Sequence, residues 1–293
     1  MKSIEAYIIK TAHTFFDFKN DADKARLVML GFPYDSTSSF RVGSRFAPSE
    51  LRFYSSAIEG YSWETGLEIS ELNVADVGDI AVVHGNTELS LERLRKVIEE
   101  LRSKGKKIGV IGGEHTLTLS SASTCGAKSI VIFDAHLDLR NEFPYGQKLS
   151  HATWLKRLIE SLRQSGMSIA VIGVRATSKE ELENAKKHQL NYITLREYES
   201  LGVKVVDDLL STMSKPIYVS IDVDVLDPAY APGVSNPEPL GLTLNELLKL
   251  LWRLRDTNIA GFDVVEVCPP YDNGVTCISA CKIIMDMLFL SLL

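Results

Sequence analysis

The chain has little of what marks a secreted, membrane-spanning or nucleic-acid-binding protein. Only four of its 293 residues are cysteine. These are Cys125, Cys268, Cys277 and Cys281, and no Cys-x-x-Cys pair occurs. That excludes a small disulfide scaffold and points to a reducing, intracellular, cytoplasmic setting. Cys277 and Cys281 stand one helical turn apart, as two core thiols would. Basic charge is not in excess: 32 Lys and Arg against 38 Asp and Glu leave a net charge of −6. A nucleic-acid partner, which selects for a basic face, is therefore not expected. Nor is a membrane partner, because no apolar run reaches the roughly 20 residues that a bilayer span needs. The oily C-terminal run from Ile283 to Leu290 carries Asp286 and reads as a buried terminal helix or an oligomer contact. Met1 to Glu5 has no signal-peptide architecture. Low-complexity linkers and repeats are missing too. With 45% hydrophobic and 24% charged residues, the composition is that of a globular protein.

What is present is alternation. Short apolar runs from Arg26 to Gly31, Lys107 to Ile111, Ser129 to Asp134, Ser168 to Gly173, Lys215 to Asp222 and Gly261 to Val267 predict strands. Most are apolar throughout, as parallel strands covered on both faces are. Between them, Leu91, Leu94, Val97, Ile98 and Leu101 form a helical stripe that stops before Gly105. Ser178 with Glu181, and Thr243 with Glu246, have capping-box spacing and predict two more helix starts. This order favours one α/β sandwich with a mostly parallel central sheet, and such sheets bind ligands beyond the carboxyl ends of their strands.

That is where the chemistry falls. Asp134, His136 and Asp138 take alternate positions after Ile130 to Phe133, and Asp222 and Asp224 do so after Ile217 to Ile221. Residues two apart on a strand share a face, so four carboxylates and an imidazole project together. Isolated buried charge is too costly to persist, and divalent cations are the simplest compensation. A third piece follows Ile108 to Ile111, where Gly112-Gly113-Glu114-His115-Thr116 folds tightly and brings His115 over the sheet edge. A phosphate loop at a helix N-terminus is the competing reading, but no Gly-Lys-Ser/Thr follows. The candidate metal set is thus His115, Asp134, His136, Asp138, Asp222 and Asp224. Four carboxylates balance two divalent cations. Two such ions roughly 3.5–4 Å apart can hold a hydroxide between them and lower the pKa of its parent water. Oxygen-rich ligation with one imidazole per ion suits Mn2+ better than Zn2+, and magnesium sites rarely use histidine. Asp227, before Pro228, breaks the alternation and is expected to serve a turn.

With these residues assembled, the chain resembles the ureohydrolase (arginase and agmatinase) family. The matching pieces are Gly-Gly-Glu-His-Thr at 112–116, Asp-Ala-His-Leu-Asp at 134–138, Ser-His-Ala-Thr at 150–153, Ser-Ile-Asp-Val-Asp-Val-Leu-Asp-Pro at 220–228 and Asp-Val-Val-Glu-Val at 263–267. Segments 31–35 and 43–48 also look like the family's N-terminal signature. The resemblance implies a single ureohydrolase domain over residues 1–293, a three-layer α/β/α fold, and a homotrimer or homohexamer. It implies that His115 and Asp138 bind one Mn2+, that His136 and Asp224 bind a second, and that Asp134 and Asp222 bridge them. Glu266 resembles the family's guanidinium-binding glutamate, and His151 its proton-shuttling histidine, a role suited to a group titrating near neutrality. The catalytic set is then His151, Glu266 and Asp138, the last also a ligand. By their residue types alone, Glu266 could instead pair with a protein arginine and His151 could be an exposed cap. His13, His84 and His188 are expected on the surface. The chain departs from the pattern at Glu114 and Thr116, where the family usually has Asp and Ser, and at Ala152, where many relatives carry Gly.

The substrate is expected to be a small cationic guanidino compound. Arg140 and Gln147 stand where arginases carry the Asn and Ser that read an α-carboxylate. Residues 137–140 leading into 150–153 look most like microbial agmatinases. Arg140 would repel the amine of agmatine, so it is expected to point away or to pair with an acid such as Glu142. Aminopropylagmatine, guanidinobutyrate and arginine are the alternatives. A two-metal phosphohydrolase would want Lys or Arg clamps on phosphate oxygens, and no basic loop accompanies these motifs. A non-catalytic relative commonly loses ligands, whereas all are present here.

Overall fold

A computed structural model describes residues 4–162 and 166–293. Met1, Lys2 and Ser3, part of the N-terminal segment read above, lie outside them. The strands are β1 (Ile8–Ile9), β2 (Leu27–Phe32), the short hairpin of β3 (Tyr61–Ser62) and β4 (Leu67–Glu68), β5 (Val74–Ile80), β6 (Lys107–Gly112), β7 (Ser129–Phe133), β8 (Ser168–Val174), β9 (Asn191–Thr194), β10 (Ile217–Asp222) and β11 (Ile259–Val265). All but the hairpin join one sheet of order β1-β5-β2-β6-β11-β10-β7-β8-β9. Every neighbouring pair in it is parallel except β1 with β5.

The six predicted strands all form, with ends moved by one or two residues. β2, β7 and β10 are buried at every position, as doubly covered parallel strands require. Helices α2 (Thr87–Ser103), α3 (Thr118–Thr124), α4 (Trp154–Ser161) and α5 (Lys179–His188) cover one face. Helices α1 (Ala47–Ser55), α6 (Leu195–Leu201), α7 (Val203–Ser211), α8 (Leu244–Trp252) and α9 (Val275–Leu292) cover the other. The expected stripe of α2 is buried at all five positions. Both expected capping boxes close, at Ser178–Glu181 and Thr243–Glu246, and a third closes at Thr194–Glu197.

β5 escaped the sequence reading because Asp76 and Asp79 interrupt its apolar run. The buried Arg52 of α1 neutralises both, with Nε 2.7 Å from Asp76 Oδ2 and Nη1 2.6 Å from Asp79 Oδ1. The C-terminal run becomes α9, long and apolar enough to cross a bilayer, yet 78% of that window is buried inside the fold. Cys277 and Cys281 are buried on it, and Asp286 is held by Lys282 Nζ at 2.7 Å and by the Trp252 indole at 2.9 Å.

Candidate metal centre

Four strands adjacent in the sheet, β6, β11, β10 and β7, deliver the site at their carboxyl ends. β6 runs through Gly112-Gly113 into His115. At Gly113 a Cβ would lie 1.9 Å from the Tyr34 carbonyl oxygen, so only glycine lets the turn close on that backbone. Asp134 follows β7, Asp222 ends β10, and Glu266 follows β11. Asp138 and Glu266 both hold positive φ, +50° and +66°, which costs a non-glycine residue energy and is typical of functional positions.

The six expected ligands converge. His115 Nδ1 lies 3.1 Å from Asp134 Oδ2, 3.4 Å from Asp138 Oδ2 and 3.2 Å from Asp222 Oδ2. His136 Nδ1 lies 3.0 Å from Asp224 Oδ2 and 3.5 Å from Asp134 Oδ1. Two sets have the spacing of cation ligands: His115, Asp134 and Asp138, and Asp134, His136 and Asp224. Asp134 belongs to both.

The surroundings aim these atoms. Asp263, wholly buried, accepts hydrogen bonds from Ser220 Oγ at 2.5 Å, Tyr218 Oη at 2.7 Å, Thr118 Oγ1 at 2.8 Å and Ser121 Oγ at 3.1 Å. With its proton given to Asp263, Ser220 Oγ accepts from His115 Nε2 at 2.9 Å. That fixes Nε2–H as the donor and leaves Nδ1, buried without a hydrogen bond, facing three carboxylates. The Trp154 indole donates to Asp138 Oδ2 at 2.7 Å, and His136 Nε2 lies 3.6 Å from Glu238 Oε1. Outer partners of this kind set the tautomer and basicity of metal-binding histidines.

The charge balance fits cations. Burial pushes Asp138 up to about 6, aided by Asp134, and pushes Asp222 well above the carboxylate range, aided by Asp224 and Asp134. Burial would depress both imidazoles, yet the surrounding carboxylates outweigh it and raise His115 and His136. A cluster that repels itself and draws in protons is one that divalent cations would stabilise.

A cavity of about 460 Å3 opens beside the cluster, lined in part by Asp138, His151, Asp222, Asp224 and Glu266. Glu266 is 2% exposed, and its Oε1 accepts the His115 amide at 2.7 Å. Its Oε2 is buried without a well-formed hydrogen bond. Burial lifts the carboxyl up to about 8, with Ser235 and the His115 amide pulling the other way. Among the described residues no arginine pairs with it, so the ion-pair alternative does not arise. His151, in the turn before α4, is 7% exposed, which also removes the exposed-cap alternative. Burial, reinforced by repulsion from His136, takes its imidazole down to about 4.

Arg140 lines the cavity but is engaged: its Nε lies 3.8 Å from Glu181 Oε2, and its guanidinium stacks 4.6 Å over Phe143. The acid beside it is thus Glu181, at the start of α5, and not Glu142, which faces solvent. Gln147 turns to its own backbone, donating to Leu149 O at 2.7 Å, outside the cavity lining. Ala152 places its methyl on the cavity wall. Asp227 serves the expected turn, accepting the Ala229 amide at 2.9 Å. His13 and His84 are exposed, while His188 is half-buried.

The sequence reading missed several participants. Ser220 had a signal, standing two residues before Asp222 on the same strand face. Asp263, Trp154, Glu181, Glu238 and Arg175 had none that periodicity reveals. Arg175 donates to the carbonyls of Asp224, Val225, Leu226, Glu238 and Pro239 at 2.7–3.2 Å, fastening the loop behind Asp224.

Comparison with known proteins agrees with this geometry. A model of the arginase family matches residues 25–290. An N(1)-aminopropylagmatine ureohydrolase of Thermococcus kodakarensis is 35% identical over 270 residues, 90% of each chain. An agmatinase of Bacillus subtilis is 34% identical over 295 aligned positions, 98% of each chain. The crystal structure of the agmatine ureohydrolase of Thermoplasma volcanium superposes with a TM-score of 0.88 at 31% identity, covering 99% of this chain and 97% of that one. The strand order, the clustered Asp and His groups and these matches place the chain in the arginase family, as a ureohydrolase.

Proposed function

We propose that this ureohydrolase is a manganese-dependent agmatinase, hydrolysing agmatine to putrescine and urea. The observation that carries the reading is the convergence of six ligand-type side chains beside Glu266, a buried carboxylate with an unpartnered oxygen on the cavity wall. His115 and Asp138 would hold one Mn2+, His136 and Asp224 the second, with Asp134 and Asp222 shared. Such a pair, when bound, supplies Lewis acidity and a water acidic enough to attack at neutral pH.

The chain's own groups do the rest. A guanidinium stays protonated at any working pH and is a poor electrophile, so it must be held and turned toward the attacking water. Glu266 can take two of its N–H groups on Oε2 and the spare lone pair of Oε1, a bidentate charge-assisted contact. Water adds to the guanidinium carbon, the bond from that carbon to the alkyl nitrogen breaks, and the departing amine takes a proton through His151. Agmatinium and water thus become putrescine, as its dication, and urea. On the cavity wall the buried Glu181 is matched by Arg140, Arg175 is spent on carbonyls, and the part-exposed Glu238 remains as an acid, which favours a cationic tail over a carboxylate.

Aminopropylagmatine is the second reading, favoured by the relative from Thermococcus kodakarensis; it shares the guanidinium and extends the tail. The deciding experiment is urea release after Mn2+ loading, across agmatine, aminopropylagmatine, guanidinobutyrate and arginine. Agmatine is expected to be hydrolysed fastest. Preference for the longer amine would move the substrate and keep the chemistry, and no urea from any of the four would overturn both. The same reading includes a cytoplasmic homotrimer or homohexamer, which light scattering on the purified protein checks for its size.

A further inference from the structure

Glu114 is a carboxylate at 0% exposure that neither the metal set nor the cavity uses. We propose that Glu114, acting through Thr37 and Ser39, is the positioning residue for His151. The inference rests on the reading of His151 as the group that passes a proton to the departing amine.

The contacts form a chain in which each proton has one place to go. Glu114 Oε2 accepts the Thr37 amide at 2.8 Å, and Oε1 accepts the Thr37 hydroxyl at 2.5 Å and the Thr116 hydroxyl at 2.6 Å. Having given its only hydroxyl proton to Glu114, Thr37 Oγ1 accepts the His151 backbone amide at 3.1 Å. Two residues further on, Ser39 Oγ lies 3.1 Å from His151 Nε2. Segment 37–39 therefore grips His151 at its main chain and at its ring. Glu114 fastens the inner end of that segment to the turn that carries His115.

The turn and the segment meet twice more. The Glu114 amide donates to Tyr34 O at 2.8 Å, and Gly113 is packed against the same carbonyl. Both carboxylate oxygens of Glu114 are needed to hold the Thr37 amide and hydroxyl together, and the family's usual Asp would reach one methylene less far. Thr116, the neighbouring departure, supplies the third donor to this carboxylate. The two departures from the family pattern are thus one hydrogen-bonded unit, joining the strand end that presents a metal ligand to the loop that aims the proton carrier.

The test is steady-state kinetics of the Mn2+-loaded enzyme on agmatine, with bound metal and thermal midpoint measured on each variant. Thr37→Val keeps the shape and removes the hydroxyl. It is expected to lower kcat by about tenfold or more, the scale of a misplaced catalytic group, with KM within about twofold. Thr37→Ser restores the rate. Introduced into His151→Phe, Thr37→Val causes no further loss, because residues acting as one unit are non-additive. Ser39→Ala, on an exposed residue, lowers kcat in the wild type and leaves the rate of His151→Phe unchanged. Should Thr37→Val and Ser39→Ala slow His151→Phe as much as they slow the wild type, or slow neither, the positioning role is wrong. A wild-type rate for His151→Phe itself would overturn the shuttle reading instead.

Discussion

At the residue scale, the site asks each side chain to hold one proton state, and neighbours enforce it. His136 shows the consequence. Its Nδ1 faces Asp224 and Asp134 while Nε2 is turned to Glu238, so His136→Asn would place a neutral amide among carboxylates that then lack one cation ligand. We expect its bound manganese to fall along with activity; full occupancy by elemental analysis would refute the ligand role. Glu266→Gln tests the other half of the chemistry. It keeps the shape and removes the charge opposite the guanidinium, and hydrogen bonds to charged groups contribute about 1.5–3 kcal/mol. The loss should appear in kcat/KM with metal content intact, and unchanged kinetics would remove the contact. The ligands were legible because a strand's two-residue period exposes them. The Asp263–Ser220–His115 relay was not, because it joins β11, β10 and the turn after β6, whose adjacency no single segment encodes.

At the scale of the element, β5 marks where sequence reasoning runs out and why. Val74–Ile80 carries Asp76, whose side chain is buried, and Asp79, whose side chain is mostly so, and apolar periodicity reads that as a loop. The pairing is made by Arg52, which also stacks its guanidinium 4.5 Å from the Phe15 ring centroid. Tertiary contact, not local pattern, makes this strand possible. β6, β7, β10 and β11, by contrast, are mostly apolar, with isolated polar positions such as Ser220 and Asp263, and were legible to within two residues. Arg52→Met removes the cation and strands two carboxylates against the sheet. Breaking a buried pair in this way costs about 3–5 kcal/mol, so the variant should unfold at markedly lower urea concentration. A double change, Arg52→Met with Asp76→Asn, should recover part of the loss, since one orphaned charge is gone. Equal midpoints for wild type and Arg52→Met would show that β5 does not depend on this pair.

At the scale of the whole molecule, the question is whether the metal set and the α9 layer behave as one cooperative unit, as a single domain over residues 1–293 would. Cys281 offers a reporter. It is wholly buried on α9, and burial pushes its thiol up to about 12, so near pH 8 the folded chain presents almost no thiolate there. Alkylation must then wait for the chain to open. A ligand that binds only the folded state stabilises it by RT ln(1 + [L]/Kd), about 2.7 kcal/mol at a hundredfold excess over Kd. The open population falls by about the same hundredfold, and alkylation slows with it when reclosing outpaces the reagent. Manganese bound at the ends of β6, β7 and β10 should therefore protect Cys281 on α9, which packs on one face of the sheet, and raise the thermal midpoint in one transition, and a chelator should reverse both. Protection that tracks manganese would tie α9 to the metal strands in a single folding unit. Alkylation indifferent to manganese, alongside a midpoint that still rises, would mean that α9 opens independently of the sheet and that the single-domain reading fails.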